Sequence, residues 1–399
     1  MIISSWSAKS IRTKRNVPVP THVPRAGFVA IACTRTCPVA SCRRVFSRRM
    51  PKKRMTVLSS TLLGWLRKKK CEVLPVNKLT GSRCFRSTIK CSALAVAKTC
   101  GLFAVMRRIM RQRLLVLCYH SVISDDSPQD SRTNIAVTKQ QFESQLQILQ
   151  NRWKPISLAE LNAALEGTAE LPDYSVFVSF DDGFRNNLTH AAPLLRQYGI
   201  PATVFLTTGL IGTTNMLWTQ EVAERQRHLR IDIAHHQPTS KLKRLPNSER
   251  LGYLDKLRAN TELGFHTDWQ RELYSFMDWD EVRQLCSFGI DIGAHTVSHP
   301  ILSSLSPDEV RRELSECKAK IEKETGTPCR AIAYPNGGEA DFNEDVIDEC
   351  RKQGFRMGFN LFGSRNPQLR EINPLSINRV CVTRDVSMIE FERMLCLSR

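Results

Sequence analysis

From residue 113 onward, short apolar runs alternate with segments whose apolar positions recur every three to four residues. LLVLCYHSV (114–122) predicts a buried strand. TKQQFESQLQILQ (138–150) places Phe142, Leu146 and Leu149 on one helical face behind a Thr cap, and SLAELNAAL (157–165) predicts a second helix capped by Ser157. In the apolar segment ending VSFDDGF (178–184), Val176, Val178 and Phe180 point one way and Phe177 the other, so it predicts a strand buried on both faces. A helix over 187–199 closed by Gly199, a strand over 201–206, a helix over 277–289 and a strand over 290–294 continue the alternation. Residues 306–326 predict the clearest helix, with Ser306 as cap, Asp308 and Glu309 at its positive end and Gly326 at its close. Segments 331–335, 355–362 and 377–382 predict further strands, with a helix near 344–353. Strands separated by helices imply parallel βα units, and a closed or partly closed barrel is expected over an open sheet. Residues 212–275 break the rhythm and are expected to be an insertion over the site with some helix.

Charge divides the chain differently. Residues 1–112 carry 25 Lys and Arg against one acid, Glu72, and the remainder carries 33 against 38, so the net +19 separates into +24 and −5. The basic segment shows no sustained period and contains clusters such as RRVFSRRMPKKR (43–54). It is expected to be a disordered N-terminal extension of 1–112, followed by one catalytic domain over 113–399. Three origins fit it: a targeting segment rich in Arg and Ser, a basic tail for nucleic acid or anionic membrane, or sequence upstream of a natural start at Met106 or Met110. The apolar stretch 92–106 is too short for a span of about 20 residues and contains Lys98, so no transmembrane span is expected. Seven cysteines follow residue 112 without a CxxC pair, which argues against a disulfide framework and a cysteine zinc site. The odd cysteine count and the absence of a clear signal peptide favour a reduced, cytoplasmic setting, with an extracytoplasmic one the alternative.

The candidate chemistry lies at strand ends. Asp181 and Asp182 follow the VSF strand at the carboxyl edge of the predicted sheet, where α/β folds build their sites, although Asp-Gly also fits an ordinary turn. His295 and His299, four apart, follow the 290–294 strand. Two histidines at that spacing after a strand form a metal-ligand pattern. One carboxylate of the DDG pair would complete a two-His, one-carboxylate face, leaving the other free to take a proton.

SFDDGF, GAHTVSHPILSSLS and AYPNGG, in that order, resemble the polysaccharide deacetylases of the NodB-homology type, and YHSV and NRVCV resemble bacterial members; the resemblance spans about 114–395. It implies a distorted (β/α) barrel, a divalent metal with zinc the expected ion, and hydrolytic removal of acetyl from an N-acetylated sugar. By position, Asp181 becomes the general base and Asp182, His295 and His299 the metal ligands. Tyr334, Pro335, Asn336 and Gly337 match a loop walling the acetyl pocket, with a backbone amide as an oxyanion donor.

The chain departs from the family pattern twice. Ala333 stands where many relatives carry an arginine that orients the base, with Arg330 three residues earlier, and no histidine follows His299, so the late LxxH acid is missing. His120, at the end of the first strand, is the candidate replacement acid. Trp218 and Trp279 are candidates for stacking on a sugar, with packing the alternative for Trp279; His235 and His236 are expected to be solvated, and Arg379 in the last strand is compatible with a contact near the site, without an assigned role. A non-catalytic carbohydrate-binding member of the same fold is the alternative function. No nucleic-acid partner is expected for the domain.

Overall fold

The computed structural model describes residues 94–129, 133–230, 239–264 and 267–397. The basic clusters before residue 94, and His235 and His236, lie outside them. Eight strands form one parallel sheet: β1 (Leu115–Tyr119), β4 (Lys154–Ile156), β5 (Ser175–Phe180), β6 (Thr203–Leu206), β7 (Asp291–Ala294), β8 (Ala331–Ala333), β9 (Met357–Phe359) and β10 (Val380–Cys381). The order is β10-β1-β5-β6-β7-β8-β9, with β4 pairing beside β5. A parallel bridge between Phe359 and Ile377 joins the far edge to the chain entering β10, so the sheet curls into a distorted barrel. This is the architecture expected from the alternating pattern.

The two-residue period of the strands sorts side chains into two cores. Leu115, Leu117, Tyr119, Val176, Val178, Phe180, Val204, Leu206 and Ile332 face outward against the helices. Val116, Phe177, Phe205, Ala331, Ala333, Met357, Phe359 and Ile377 fill the interior. Phe177 stacks on Phe359 at 5.5 Å and 11°, and Phe205 meets Phe359 at 5.2 Å. Such pairs add about 0.5–1.5 kcal/mol each beyond the area they bury. Gly293 of β7 takes an inward position because a Cβ there would come within 2.4 Å of the Phe205 ring.

The helices follow their caps. Capping boxes start α2 (Lys139–Arg152) at Thr138 and Gln141, α3 (Leu158–Leu165) at Ser157 and Glu160, α9 (Trp279–Ser287) at Asp278 and Glu281, and α10 (Pro307–Thr325) at Ser306 and Glu309. Gly326, at φ 69°, ends α10. The helix expected over 187–199 is instead a π turn, Asn187–Ala191, leading into α4 (Ala192–Tyr198). The strand expected over 114–122 divides at His120: Ser121–Ile123 is β2, which pairs with β3 (Ala136–Thr138) in a separate two-stranded sheet.

Ordered structure begins before the boundary expected at residue 112. Helix α1 (Leu102–Ile109) packs against the final helix α12 (Met388–Leu397), with Phe103 buried in the outer core. An aromatic residue covered this way anchors the segment, which corrects the expectation that residues 94–112 lack structure.

Between β6 and α9, the segment expected as an insertion carries α5 (Trp218–His228), α6 (Thr239–Leu242), α7 (Asn247–Asn260) and α8 (Asp268–Tyr274). It has a small core of its own built on Trp218, Val222, Leu254 and Leu257, which reaches Ile301 in the loop after β7.

Candidate active site

Above the aromatic layer, the inward positions turn polar. Cys118 of β1, Ser179 and then Asp181 after β5, His295 after β7, and Arg379 and Cys381 around β10 continue the faces that carry Val116, Phe177, Gly293 and Ile377 below. Parallel strands deliver all of these to the same carboxyl rim.

Asp181 is 1 % exposed and gripped by Arg379, which is fully buried. Arg379 Nη1 donates to Asp181 Oδ1 at 2.6 Å and Nη2 to Oδ2 at 2.7 Å, while Nε donates to the Asn360 carbonyl at 3.1 Å and Nη1 reaches Ser179 Oγ at 3.3 Å. Burial alone would raise the Asp181 pKa, but this guanidinium, together with His295, holds it well below the carboxylate range. Cys118 Sγ donates to Oδ2 at 3.4 Å. The charge partner of Asp181 therefore comes from the last strand. Arg330, the substitute considered from the sequence, is exposed on the far side of Ala331.

Asp182, His295 and His299 converge. His295 Nε2 lies 3.5 Å and His299 Nε2 3.6 Å from Asp182 Oδ1. His295 Nδ1 lies 2.7 Å from the Ala333 carbonyl, which fixes the proton on Nδ1 and turns the bare Nε2 toward Asp182. Asp182 Oδ1 is buried without a hydrogen-bond partner. Burial, reinforced by Asp181, raises the Asp182 pKa, and burial, reinforced by His295, lowers that of His299 well below the imidazole range. A lone oxygen facing two ring nitrogens is an arrangement that a shared cation relieves. Bonds of about 2.0–2.2 Å to one ion would span these separations, so the residues fit a divalent metal.

The rim is also where the backbone leaves ordinary conformations. Asp182 (φ 77°), Thr296 (φ 67°), His299 (φ 58°) and Asn336 (φ 60°) all take the left-handed region. Each costs about 1–3 kcal/mol and clusters of this kind mark functional loops. The twist after β7 lets Thr296 Oγ1 accept the His299 amide at 3.1 Å.

His120 is half-buried where β1 breaks from β2, and its carbonyl accepts a 2.7 Å bond from Asn187 Nδ2 of the π turn. Asn186 Oδ1 accepts the Val122 amide, and Asn186 Nδ2 donates to the Glu272 carbonyl of α8. Burial opposes charge on His120, but the Cys381 thiol at 4.0 Å and the two aspartates outweigh it and lift the pKa to about 9.

The loop after β8 sits beside His295. The Tyr334 side chain is fully buried, stacked on Phe342 at 4.1 Å and donating its hydroxyl to the Leu375 carbonyl at 2.7 Å. The Tyr334, Gly337 and Gly338 amides are bonded to Phe359, Pro335 and Asp341, and Pro335 has no N–H. Asn336 is the donor left in this loop, with a buried Nδ2 that has no partner.

Trp218 packs behind His299. It is 9 % exposed, with Nε1 donating to the His299 carbonyl at 3.0 Å and the Arg250 guanidinium 5.1 Å from its ring. It braces a metal-ligand candidate from behind and lines a cavity with Glu221, Arg250 and Leu254. Trp279 packs under Lys320, 5.3 Å from its ring.

Cys118, Cys381, Asn186 and Asn187 escaped the sequence reading, and Arg379 was singled out there without a role. For Arg379 and Cys381 the signal was present: alternation through Ile377, Arg379 and Cys381 places all three on one face.

Residues 168–358 match the polysaccharide deacetylase family model. Over that segment the chain is similar to the polysaccharide deacetylases. It is 22 % identical over 247 residues to the Bacillus subtilis protein YxkH, covering 62 % of this chain and 63 % of that one. Over 111 residues it is 37 % identical to the poly-β-1,6-N-acetyl-D-glucosamine N-deacetylase of Staphylococcus epidermidis, covering 25 % of this chain and 38 % of that protein. The chain thus spans less than two thirds of the length of these relatives. The structure of the Streptococcus pyogenes deacetylase PplD superposes with a TM-score of 0.50 at 19 % identity, covering 71 % of this chain and 98 % of that one, and shares the fold. Among the described residues, no helix is long and apolar enough to cross a membrane.

Proposed function

We propose that this chain is a polysaccharide deacetylase, a metal-dependent hydrolase that removes N-acetyl groups from an amino-sugar polymer, with β-1,6-linked N-acetylglucosamine the first substrate to test. The observation that carries the reading is the unpartnered Asp182 Oδ1 between two imidazoles, next to a second carboxylate held ionised by Arg379. The Staphylococcus epidermidis relative's name supports the choice of polymer.

Asp182, His295 and His299 would hold a divalent ion, zinc by the preference of a two-imidazole, one-carboxylate set. When bound, such an ion supplies Lewis acidity toward the amide carbonyl and water. The remaining work falls to the chain. Asp181, kept unprotonated and oriented by Arg379, takes the proton of the attacking water. Its depressed pKa makes it a weak base in bulk terms, and correct placement in a dry site offsets that weakness. His120, protonated at neutral pH, stands across the rim to give a proton to the departing amine. Asn336 offers N–H donors toward the oxyanion.

The test is acetate release from β-1,6-N-acetylglucosamine oligomers and from chitooligosaccharides by zinc-loaded protein. His120→Ala is expected to lose roughly 10²–10⁴-fold in kcat with metal content unchanged. Full turnover in that variant would remove His120 from the acid role. Absence of acetate release from either polymer by metal-loaded protein would remove the reading itself.

A further inference from the structure

The proposed mechanism leaves two thiols at the centre without a task. Cys118 and Cys381 are register partners on adjacent parallel strands β1 and β10. Neighbouring strands run about 4.7–4.9 Å apart, inside the Cα separation of about 4.4–6.8 Å that a disulfide tolerates. Both side chains lie on the inward face, as register partners across the β1–β10 pair. Cys118 Sγ also reaches Asp181 Oδ2 at 3.4 Å, and Cys381 Sγ lies 4.0 Å from His120 Nδ1. Each thiol therefore touches one member of the proposed acid-base pair.

The alternative use of the cluster is weaker. Cys118, His120 and Asp181 are close enough to surround an ion, but Arg379 occupies both Asp181 oxygens and brings a positive charge to the spot.

We propose that Cys118 and Cys381 form a peroxide-reactive thiol pair whose oxidation to a disulfide switches the active centre off. The inference rests on the hydrolase reading for its consequence, while the bond itself is detectable without it. Cys381 is half-buried and Cys118 fully buried, so peroxide reaches Cys381 first. The hydrogen bond from Cys118 holds the Cys381 pKa well below the thiol range, against burial and with help from His120, whereas burial raises that of Cys118. The Cys381 thiolate attacks hydrogen peroxide: an S–O bond forms, the O–O bond breaks, and the departing hydroxide takes a proton and leaves as water. Cys118 then attacks the sulfenic sulfur, forming S–S, breaking S–O and releasing a second water. Two thiols are oxidised by two electrons, and one peroxide is reduced to two waters. The new bond draws Cys118 Sγ from Asp181 and Cys381 Sγ from His120, disturbing base and acid together.

The experiment treats the full chain with a small excess of hydrogen peroxide and digests it with trypsin without reduction. Mass spectrometry should show peptide 114–132 joined to peptide 380–384, with the link lost on adding dithiothreitol. In Cys118→Ser, dimedone should label the 380–384 peptide, since the sulfenic acid has no partner. Acetate release, normalised to each variant's untreated rate, should fall roughly 10²-fold in the native chain, recover with dithiothreitol, and resist peroxide in Cys381→Ser. Oxidation of the exposed Cys100 with no 118–381 link would overturn the proposal, as would equal peroxide inactivation of native chain and Cys381→Ser. A chain that forms the link yet never releases acetate would sustain the thiol chemistry and refute the hydrolase reading alone.

Discussion

Replacing Arg379 by methionine leaves a carboxylate buried at 1 % exposure without its charge partner. The side chain makes two short bonds to Asp181 and further bonds to Asn360 and Ser179. Removing one partner of a buried pair costs about 3–5 kcal/mol, chiefly because the surviving charge is left uncompensated. For a domain of this size that lowers Tm on the order of 10 °C. The attribution to a stranded charge is separable from lost packing by a double-mutant cycle. Adding Asp181→Asn to Arg379→Met removes the orphaned charge, so the double variant should be more stable than Arg379→Met alone, with a coupling of about 2–3 kcal/mol between the sites. Arg379→Lys should fall between the native chain and Arg379→Met, since it keeps the charge and loses the two-pronged grip. The assay is thermal and urea unfolding of the four members of the cycle. Additive losses, or an Arg379→Met protein with native Tm, would refute the claim that Arg379 exists to hold the Asp181 charge.

Zinc at about 100 times its dissociation constant should stabilise the chain by about 2.7 kcal/mol, and Asp182→Asn or His295→Ala should abolish that shift in the same melting assay. Trp218→Phe should weaken zinc binding by roughly tenfold, the low end for loss of a residue that braces a ligand, read by competition with a chelator. Glu272 accepts from Ser124 and contacts His190 at 2.5 Å; burial works against its charge, but these partners lower its pKa from 4.5 to about 2. Its folded pKa being depressed, the stability it adds is complete above about pH 4.5 and declines as pH falls toward 2, so Glu272→Gln should narrow its deficit against native chain across that window. Gly358→Ala should cost about 1–3 kcal/mol, because its Cβ would meet Tyr334 Oη at 2.5 Å and the Leu375 carbonyl at 2.6 Å, the two atoms that pin the loop after β8.

The alternation of Val176, Phe177, Val178 and Phe180 was enough to predict a two-faced strand, and the structure divides those residues between its two cores accordingly. Asp182, His295 and His299 were legible because local motifs at strand ends must meet on one rim of a parallel barrel. The role of Arg379 was not, because its partner is 198 residues away and only the β10-β1-β5 neighbourhood joins them. The packing of Trp218 was hidden because an exposed aromatic in an insertion and one set in a helical core have the same sequence signature. The π turn at Asn187 was hidden for a different reason: its periodicity over 187–199 matches a plain helix, and the bonds to His120 and Val122 that favour the wider turn come from a distant strand.

The aromatic layer of Phe177, Phe205 and Phe359 stoppers the barrel directly below its charged storey. In the proposed hydrolase, incoming water, outgoing acetate and the sugar would therefore all use the rim above that layer. If that proposal holds, a freed acetate would have to clear the cup before the next acetyl group could seat, and accumulating acetate is expected to compete with substrate for the same space.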